Sequence, residues 1–306
     1  MDRHKFAPGV RDCEERVTAV VKHLVDERCT RLPHEGINGG APLPSHDDVS
    51  RIISLSRRLV FPGFFGASGI SYHNLEYYAG IAVEELYNCL KVQIAAGLAF
   101  GEPGNSHIKD KAREMALEFV EQLPELRRVL FADAQATYVG DPAATSVDEV
   151  IFCYPGVRAT VNYRIAHILQ QLGVPVIPRM ISEQAHRDTG IDIHPGASIG
   201  EGFVIDHGTG VVVGATSIIG KNVKLYQGVT LGAKSFDRDE NNNPVKGVPR
   251  HPIIGNDVII YANSTVLGRI TIGDGAIIGG NLWVTEDVGA GEKLVQARPD
   301  NILRFK

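Results

Sequence analysis

A period of six restricts what this chain can fold into more than any other feature. Aliphatic residues stand at Ile193, Ile199 and Ile205, then at Val213, Ile219, Leu225 and Leu231, then at Ile254, Ile260, Val266, Ile272, Ile278 and Val284. Gly follows many of them directly, as at Gly200, Gly214, Gly220, Gly232, Gly255, Gly273 and Gly279. A helix repeats every 3.6 residues and a strand every two, so neither gives this register. A parallel β-helix does: three short strands make each coil and the recurring aliphatic points inward. A Gly-rich loop region or an antiparallel sandwich would not keep the register over so many hexads. Small residues at Ala197, Thr216, Ser264 and Ala276 are the expected corners. Two interruptions break the period: a two-residue slip from Asp206 to Val212 and a long excursion over 234–252. Insertions in a solenoid leave its surface as loops, where binding sites form.

The rest of the chain has a different pattern. Up to about Met180 the apolar spacing is helical, as in Val17, Val20, Val21, Leu24 and Val25. A face with Val49, Ile52 and Ile53 follows Ser45, and a long apolar helix is expected from Asn74 to about Phe100. Asn105 or Ser106 is expected to cap another. A last helix uses Val157, Val161, Ile165 and Ile168 and stops at Gly173 before Pro175. The expected class is α+β: an all-α part over 1–188, a hexapeptide β-helix over 189–290 and a short tail over 291–306.

Composition sets the remaining limits. The chain has 306 residues, 43% hydrophobic and 22% charged, with a net charge of -5. That balance gives no reason to expect nucleic acid or an anionic membrane as partner. No apolar run approaches the ~20 residues of a membrane helix and no signal-like leader is present, so a cytoplasmic protein is expected. Cys13, Cys29, Cys89 and Cys153 lack metal-ligand spacing and read as buried free thiols, Cys153 within the core.

The first interruption reads Ile205-Asp206-His207-Gly208-Thr209-Gly210, and Asp192 stands fifteen residues before His207. With about eighteen residues to a coil, both fall near one edge of adjacent coils. A carboxylate beside an imidazole fixes its tautomer and stabilises the imidazolium, as a general base acting on an alcohol requires. Surface loop residues or caps fit the same spacing. The second interruption closes with Val248-Pro249-Arg250-His251-Pro252. Arg250 offers a donor fork for a carboxylate and the prolines restrict the backbone; a solvated charge at a loop end is the plainer alternative.

Asp192-Ile-His-Pro, Ile205-Asp-His-Gly-Thr-Gly-Val-Val-Val-Gly, Gln227-Gly-Val-Thr-Leu-Gly and Arg250-His-Pro, in that order, resemble serine O-acetyltransferases from Thr189 to about Pro299. Ala132-Asp133-Ala134-Gln135 and Tyr163-Arg164-Ile165-Ala166-His167 extend the resemblance into the helical part. It implies a left-handed β-helix, transfer of acetyl from acetyl-CoA to the L-serine hydroxyl as the first step of cysteine biosynthesis, and no metal. It further implies His207 as base and Asp192 as its orienting partner. Arg250 would hold the serine carboxylate, Asp133 and Asp206 its ammonium, and His251 would lie against the hydroxyl. Ala233, Ala262 and Gly280 match positions that accept coenzyme A. The family forms trimers, or dimers of trimers, with sites between subunits, and its feedback inhibitor cysteine occupies the serine site, so inhibition by cysteine is compatible with the resemblance. Members that dock on the cysteine-forming enzyme end in isoleucine; this sequence ends Ile302-Leu303-Arg304-Phe305-Lys306, so that complex is not expected. Another acyltransferase on this coil, with a sugar or a different amino acid as acceptor, a zinc hydratase with three convergent histidines and a noncatalytic scaffold are the competing readings.

Overall fold

The computed structural model describes residues 8–24, 42–66, 69–71, 73–101, 106–235 and 238–297. Cys29, Asn105 and the tail bearing on partner docking lie outside them. Helices come first: α1 (Pro8–Leu24), α2 (His46–Val60), α3 (Leu75–Gly101), α4 (Ile108–Glu121), α5 (Leu123–Gly140), α6 (Val147–Cys153), α7 (Pro155–Gln171) and α8 (Ile177–Thr189). Ser45 caps α2 by accepting the Asp48 N–H, and Ser146 caps α6 through the Glu149 N–H. Their apolar faces form one core, including Ile52, Leu86, Leu90, Phe119, Leu130 and Ile165.

The helical part departs from expectation at four points. The α1 face with Val17, Val20, Val21 and Leu24 is exposed on the single chain. His107, rather than Ser106, precedes α4, without a side-chain cap bond. Beyond Gly173 the chain makes one more helix, α8, because Pro178 occupies its first turn, where an N–H is not needed. Cys13, Cys89 and Cys153 are free thiols, but Cys13 and Cys153 are exposed. The inward residues of α6 are Val150 and Ile151, which leaves Cys153 off the buried face.

From Asp192 the chain winds as a parallel solenoid of about five coils. The first coil is β1 (Asp192–Ile193), β2 (Ser198–Ile199) and β3 (Val204–Asp206); the second is β4 (Val212–Val213), β5 (Ile218–Ile219) and β6 (Lys224–Tyr226). After β7 (Thr230–Gly232) the excursion leaves, and winding resumes with β8 (Ile253–Ile254), β9 (Ile259–Ile260), β10 (Thr265–Leu267), β11 (Thr271–Ile272), β12 (Ile277–Ile278), β13 (Trp283–Val284) and β14 (Lys293–Leu294). Three parallel sheets result, in the orders β1-β4-β7-β10-β13, β11-β8-β5-β2 and β14-β12-β9-β6-β3. Ile193 lies opposite Val213, Ile205 opposite Leu225 and Ile260 opposite Ile278. Each inward aliphatic therefore stacks on the one a coil earlier, and burying a side chain of this size contributes about 1.5–3 kcal/mol. Ala197, Ser264 and Ala276 are buried corners as expected. In the second coil that place belongs to Ser217, and Thr216 turns outward to other work.

A solenoid exposes unpaired strand carbonyls on its first coil. Here α7 covers them. Tyr163 Oη donates to Ala197 O at 2.7 Å, Arg164 donates to Ile199 O and Gly200 O at 3.2 and 2.7 Å, and His167 Nδ1 lies 2.7 Å from Pro195 O. Close approach needs Gly156: a Cβ there would sit 2.2 Å from Ile205 O.

Candidate active site

His207 occupies the corner between β3 and β4. Its backbone is left-handed, φ 57°, and Gly208 and Gly210 continue the tight turn at 94° and 81°. The side chain is 76% exposed. The preceding Asp206 is mostly covered: its Oδ2 pairs with Lys224 Nζ at 2.9 Å, and its Oδ1 stands 3.9 Å from His207 Nε2. Lys224 Nζ also donates to Gly140 O at 2.8 Å, tying the end of α5 to the coil. Asp141, the next residue, accepts the Tyr154 hydroxyl at 2.6 Å and the Ala143 N–H at 2.8 Å. The Tyr154 bond, the Ala143 N–H and the nearby charges of Lys224 and His207 hold the Asp141 carboxyl below the usual range. Asp206 thus lies beside an open imidazole, with its own partner Lys224 behind it and Asp141 within electrostatic reach of the ring.

Asp192 lies at the same corner one coil below. Its N–H donates to Val211 O at 2.9 Å and Gly210 N–H donates to Gly190 O at 2.8 Å. The carboxylate nearest the His207 ring among the described residues is nevertheless that of Asp206, and Asp192 forms no ion pair with the ring in the single chain.

Asp133, expected at the substrate ammonium, is elsewhere and occupied. It is 2% exposed; Arg164 Nε and Nη2 donate to its two oxygens at 2.6 and 3.0 Å, and Phe203 N–H adds a third bond at 2.9 Å. The pair anchors α5 to α7 and the first coil, so Asp133 has no oxygen turned toward a substrate. Asp141, not singled out from the sequence, is the helical-part carboxylate close enough to the corner to feel the charges of Lys224 and His207.

Arg250 and His251 close the excursion at a different corner, between β7 and β8. Thr216 Oγ1 accepts both of their N–H groups, at 2.9 and 3.2 Å. Thr216 N–H donates to His251 Nδ1 at 3.1 Å, leaving the ring proton on Nε2. Arg269 fixes the same turn by donating to Thr216 O and His251 O at 2.6 and 2.9 Å. Burial, reinforced by the charges of Arg250, His194 and Arg269, pushes the His251 imidazole down to about 4. The unfolded chain takes this proton near 6.5 and the folded chain near 4. Stability from the ring is therefore complete above 6.5 and is lost as pH falls toward 4. Ring ¹⁵N shifts should show His251 neutral, with Nε2 protonated, at neutral pH; titration near 6.5 would contradict the packing.

The His251 ring lies against bare backbone. A Cβ on Gly214 would meet His251 Cδ2 at 2.0 Å and Nε2 at 2.2 Å. Gly214→Ala is therefore expected to displace the imidazole and destabilise the chain by about 1–3 kcal/mol. Thermal unfolding measures this, and an unchanged melting temperature would show that the corner yields freely.

The site residues thus divide between two corners. Along the His207 corner, Gly228 N–H donates to Thr209 O, Asn263 N–H to Gln227 O and Asn281 N–H to Ala262 O, placing Ala262 and Gly280 in the same column. Ala233 begins the turn that ends at Arg250 and His251. β4 has the His207 turn at one end and Gly214, beneath His251, at the other. The two groups are separated by the width of a sheet. His207 and His251 therefore do not converge as a zinc set within one chain, and among the described residues no three His, Cys, Asp or Glu side chains do.

Residues 251–286 match the sequence profile of the bacterial transferase hexapeptide (six repeats). A plasmid-encoded serine acetyltransferase of Synechococcus elongatus is 44% identical over 293 residues, 92% of each chain. The chain belongs to the serine acetyltransferase family. Among solved structures of the family, Entamoeba histolytica serine acetyltransferase 1 in complex with L-cysteine is 35% identical, with a TM-score of 0.71 over 83% of this chain and 88% of its own. A serine acetyltransferase in complex with CoA is 27% identical, with a TM-score of 0.52 over 81% of this chain and 95% of its own. The left-handed hexapeptide β-helix behind a helical part agrees with this membership. No helix among the described residues is long and apolar enough to cross a membrane.

Pattern reasoning missed Asp141, Tyr154, Thr216 and Lys224. Each acts through a tertiary contact that no local period announces. Only Lys224 had a sequence signal, as the outward position before the inward Leu225.

Proposed function

We propose that the chain transfers the acetyl group of acetyl-CoA to the L-serine hydroxyl, giving O-acetylserine and CoA, at sites shared between neighbouring copies. His207 takes the hydroxyl proton, and the serine oxygen attacks the thioester carbonyl. The tetrahedral oxyanion then collapses, the C–S bond breaks, and the imidazolium returns its proton to the CoA sulfur. Asp192 orients the imidazole once the ring is seated at its corner. Asp206 and Asp141 receive the ammonium, the place first given to Asp133. Arg250 holds the serine carboxylate, and neutral His251 offers Nε2–H to the developing charge. Ala233, Ala262 and Gly280 leave backbone open to the coenzyme. L-cysteine, which carries the same carboxylate and ammonium as serine, is expected to compete for the site.

The observation that carries this reading is the division of the site. A small amino acid cannot touch both His207 and Arg250 of one chain, because a sheet lies between their corners. A threefold arrangement that sets one chain's His207 corner against its neighbour's Arg250 corner completes the site in each interface.

Serine-dependent release of thiol from acetyl-CoA tests the activity. Co-refolding His207→Ala with Arg250→Ala tests the sharing. Each variant alone should be nearly inactive, whereas a 1:1 mixture should recover about a quarter of wild-type activity, from interfaces that draw each corner from the intact parent. A mixture no better than its parents would place both corners' work within one chain.

A further inference from the structure

Away from the coil corners, α2, α7 and α8 enclose a cavity of about 440 Å³ lined by Arg57, Arg158, Asn162, Gln184, Asp188 and Phe65, among others. Its charges are unbalanced. Arg158 Nη2 pairs with Asp188 Oδ2 at 2.6 Å and Arg187 Nε with Asp188 Oδ1 at 3.3 Å, so both oxygens of that carboxylate are engaged. Arg57 has no carboxylate partner among the described residues, and its buried Nε makes no hydrogen bond. Its guanidinium lies 4.0 Å from the centre of the Phe65 ring. Burial, then the charge of Arg158, pushes the Arg57 guanidinium down from its ordinary value. An unpaired arginine held beside a second arginine is a poor arrangement for stability alone.

Asn162 supplies the second, independent observation. It is 2% exposed and lines the same cavity, yet its Oδ1 is a buried acceptor without a donor. Such an atom costs free energy wherever nothing donates to it. Gln184 lines the same cavity and accepts the Ser50 hydroxyl through Oε1 at 3.1 Å, but its amide does not donate to Asn162 Oδ1.

We propose that this cavity binds a small oxyanion that carries its own hydrogen-bond donor, of the hydrogen phosphate type. Its oxygens meet Arg57 and Arg158 and its O–H meets Asn162 Oδ1. Guanidinium forks suit such an oxyanion. The site is separate from the corners that bear His207 and Arg250.

Calorimetric titration of the full chain with inorganic phosphate at constant ionic strength, with CoA present, tests the proposal. The expected result is saturable binding, one per chain, that survives CoA and is weakened at least about tenfold in Arg57→Gln. Acetate, which has no donor for Asn162, should bind more weakly than phosphate. Without phosphate, Arg57→Gln should melt no lower than the wild type, since a residue kept for a ligand is a liability without it; thiol-release activity should be unchanged. Absence of saturable binding, displacement of phosphate by CoA, or full affinity in Arg57→Gln would overturn the site. Equal affinity for acetate would remove Asn162 from it, and a large fall in the melting temperature of Arg57→Gln would show that Arg57 is structural.

Discussion

His207→Ala is expected to lower kcat for acetyl transfer by about 10²–10⁴-fold, the usual contribution of a general base. A serine hydroxyl is a poor nucleophile until its proton has somewhere to go, and a ring nitrogen of the imidazole can take that proton and hand it on. The carboxylates beside it, Asp206 and Asp141, are held by Lys224 and Tyr154. In the proposed reading these two receive the ammonium, and His207 is left as the base. The KM for serine should change far less than kcat, because the variant keeps Asp206, Asp141 and the neighbouring Arg250. Steady-state kinetics on the assembled protein checks both numbers. A loss under about tenfold would mean that His207 is not the base.

Asp192→Asn supplies the companion measurement. In the single chain the ring is exposed and closer to Asp206 than to Asp192. If Asp192 orients the imidazole during reaction, its amide variant should lower kcat and shift the pH profile, while the melting temperature stays near the wild type.

The coil was legible because its energy comes from one repeated event, the stacking of an aliphatic side chain on the one a coil earlier. Ile193, Leu225, Ile260 and Ile278 can be placed inside by counting. The same counting separates the corners: His207 follows a third strand, whereas Arg250 precedes a second, so their separation was implicit in the hexads. What could not be counted was pairing across the chain. Nothing near Asp133 announces Arg164, and Thr216 stands one residue from the corner position yet holds Arg250 and His251 through its hydroxyl. α8 was hidden because Gly173 with Pro175 just beyond reads as a stop, although Pro178 lies in the first turn of the next helix, where a proline starts a helix as readily as it ends one. The apolar face of α1 was visible as a period, but a period does not say what covers it.

Arg164→Leu should destabilise the chain by about 3–5 kcal/mol, because it leaves a buried carboxylate without its cation. Burial already pushes the Asp133 carboxyl up, and the charge and hydrogen bonds of Arg164 oppose that push. With Arg164 gone, burial acts unopposed except by backbone N–H groups such as that of Phe203. Asp133 in the folded variant should then keep its proton far above the unfolded value of about 3.9. A raised folded value gives stability that is present below the unfolded value and lost as pH rises through the folded one. The gap between variant and wild type should therefore be smallest in acid and widen toward neutral pH. Removing both partners, as in Asp133→Leu with Arg164→Leu, should recover part of the loss, since no buried charge remains, although Phe203 N–H and the carbonyls of Ile199 and Gly200 still lose their partners. Chemical denaturation across pH on the three variants measures these differences. Asp133→Asn separates the structural role from a substrate role: it should lower stability while leaving the serine KM within about threefold. A large rise in KM with stability unchanged would return Asp133 to the ammonium and take that place from Asp141.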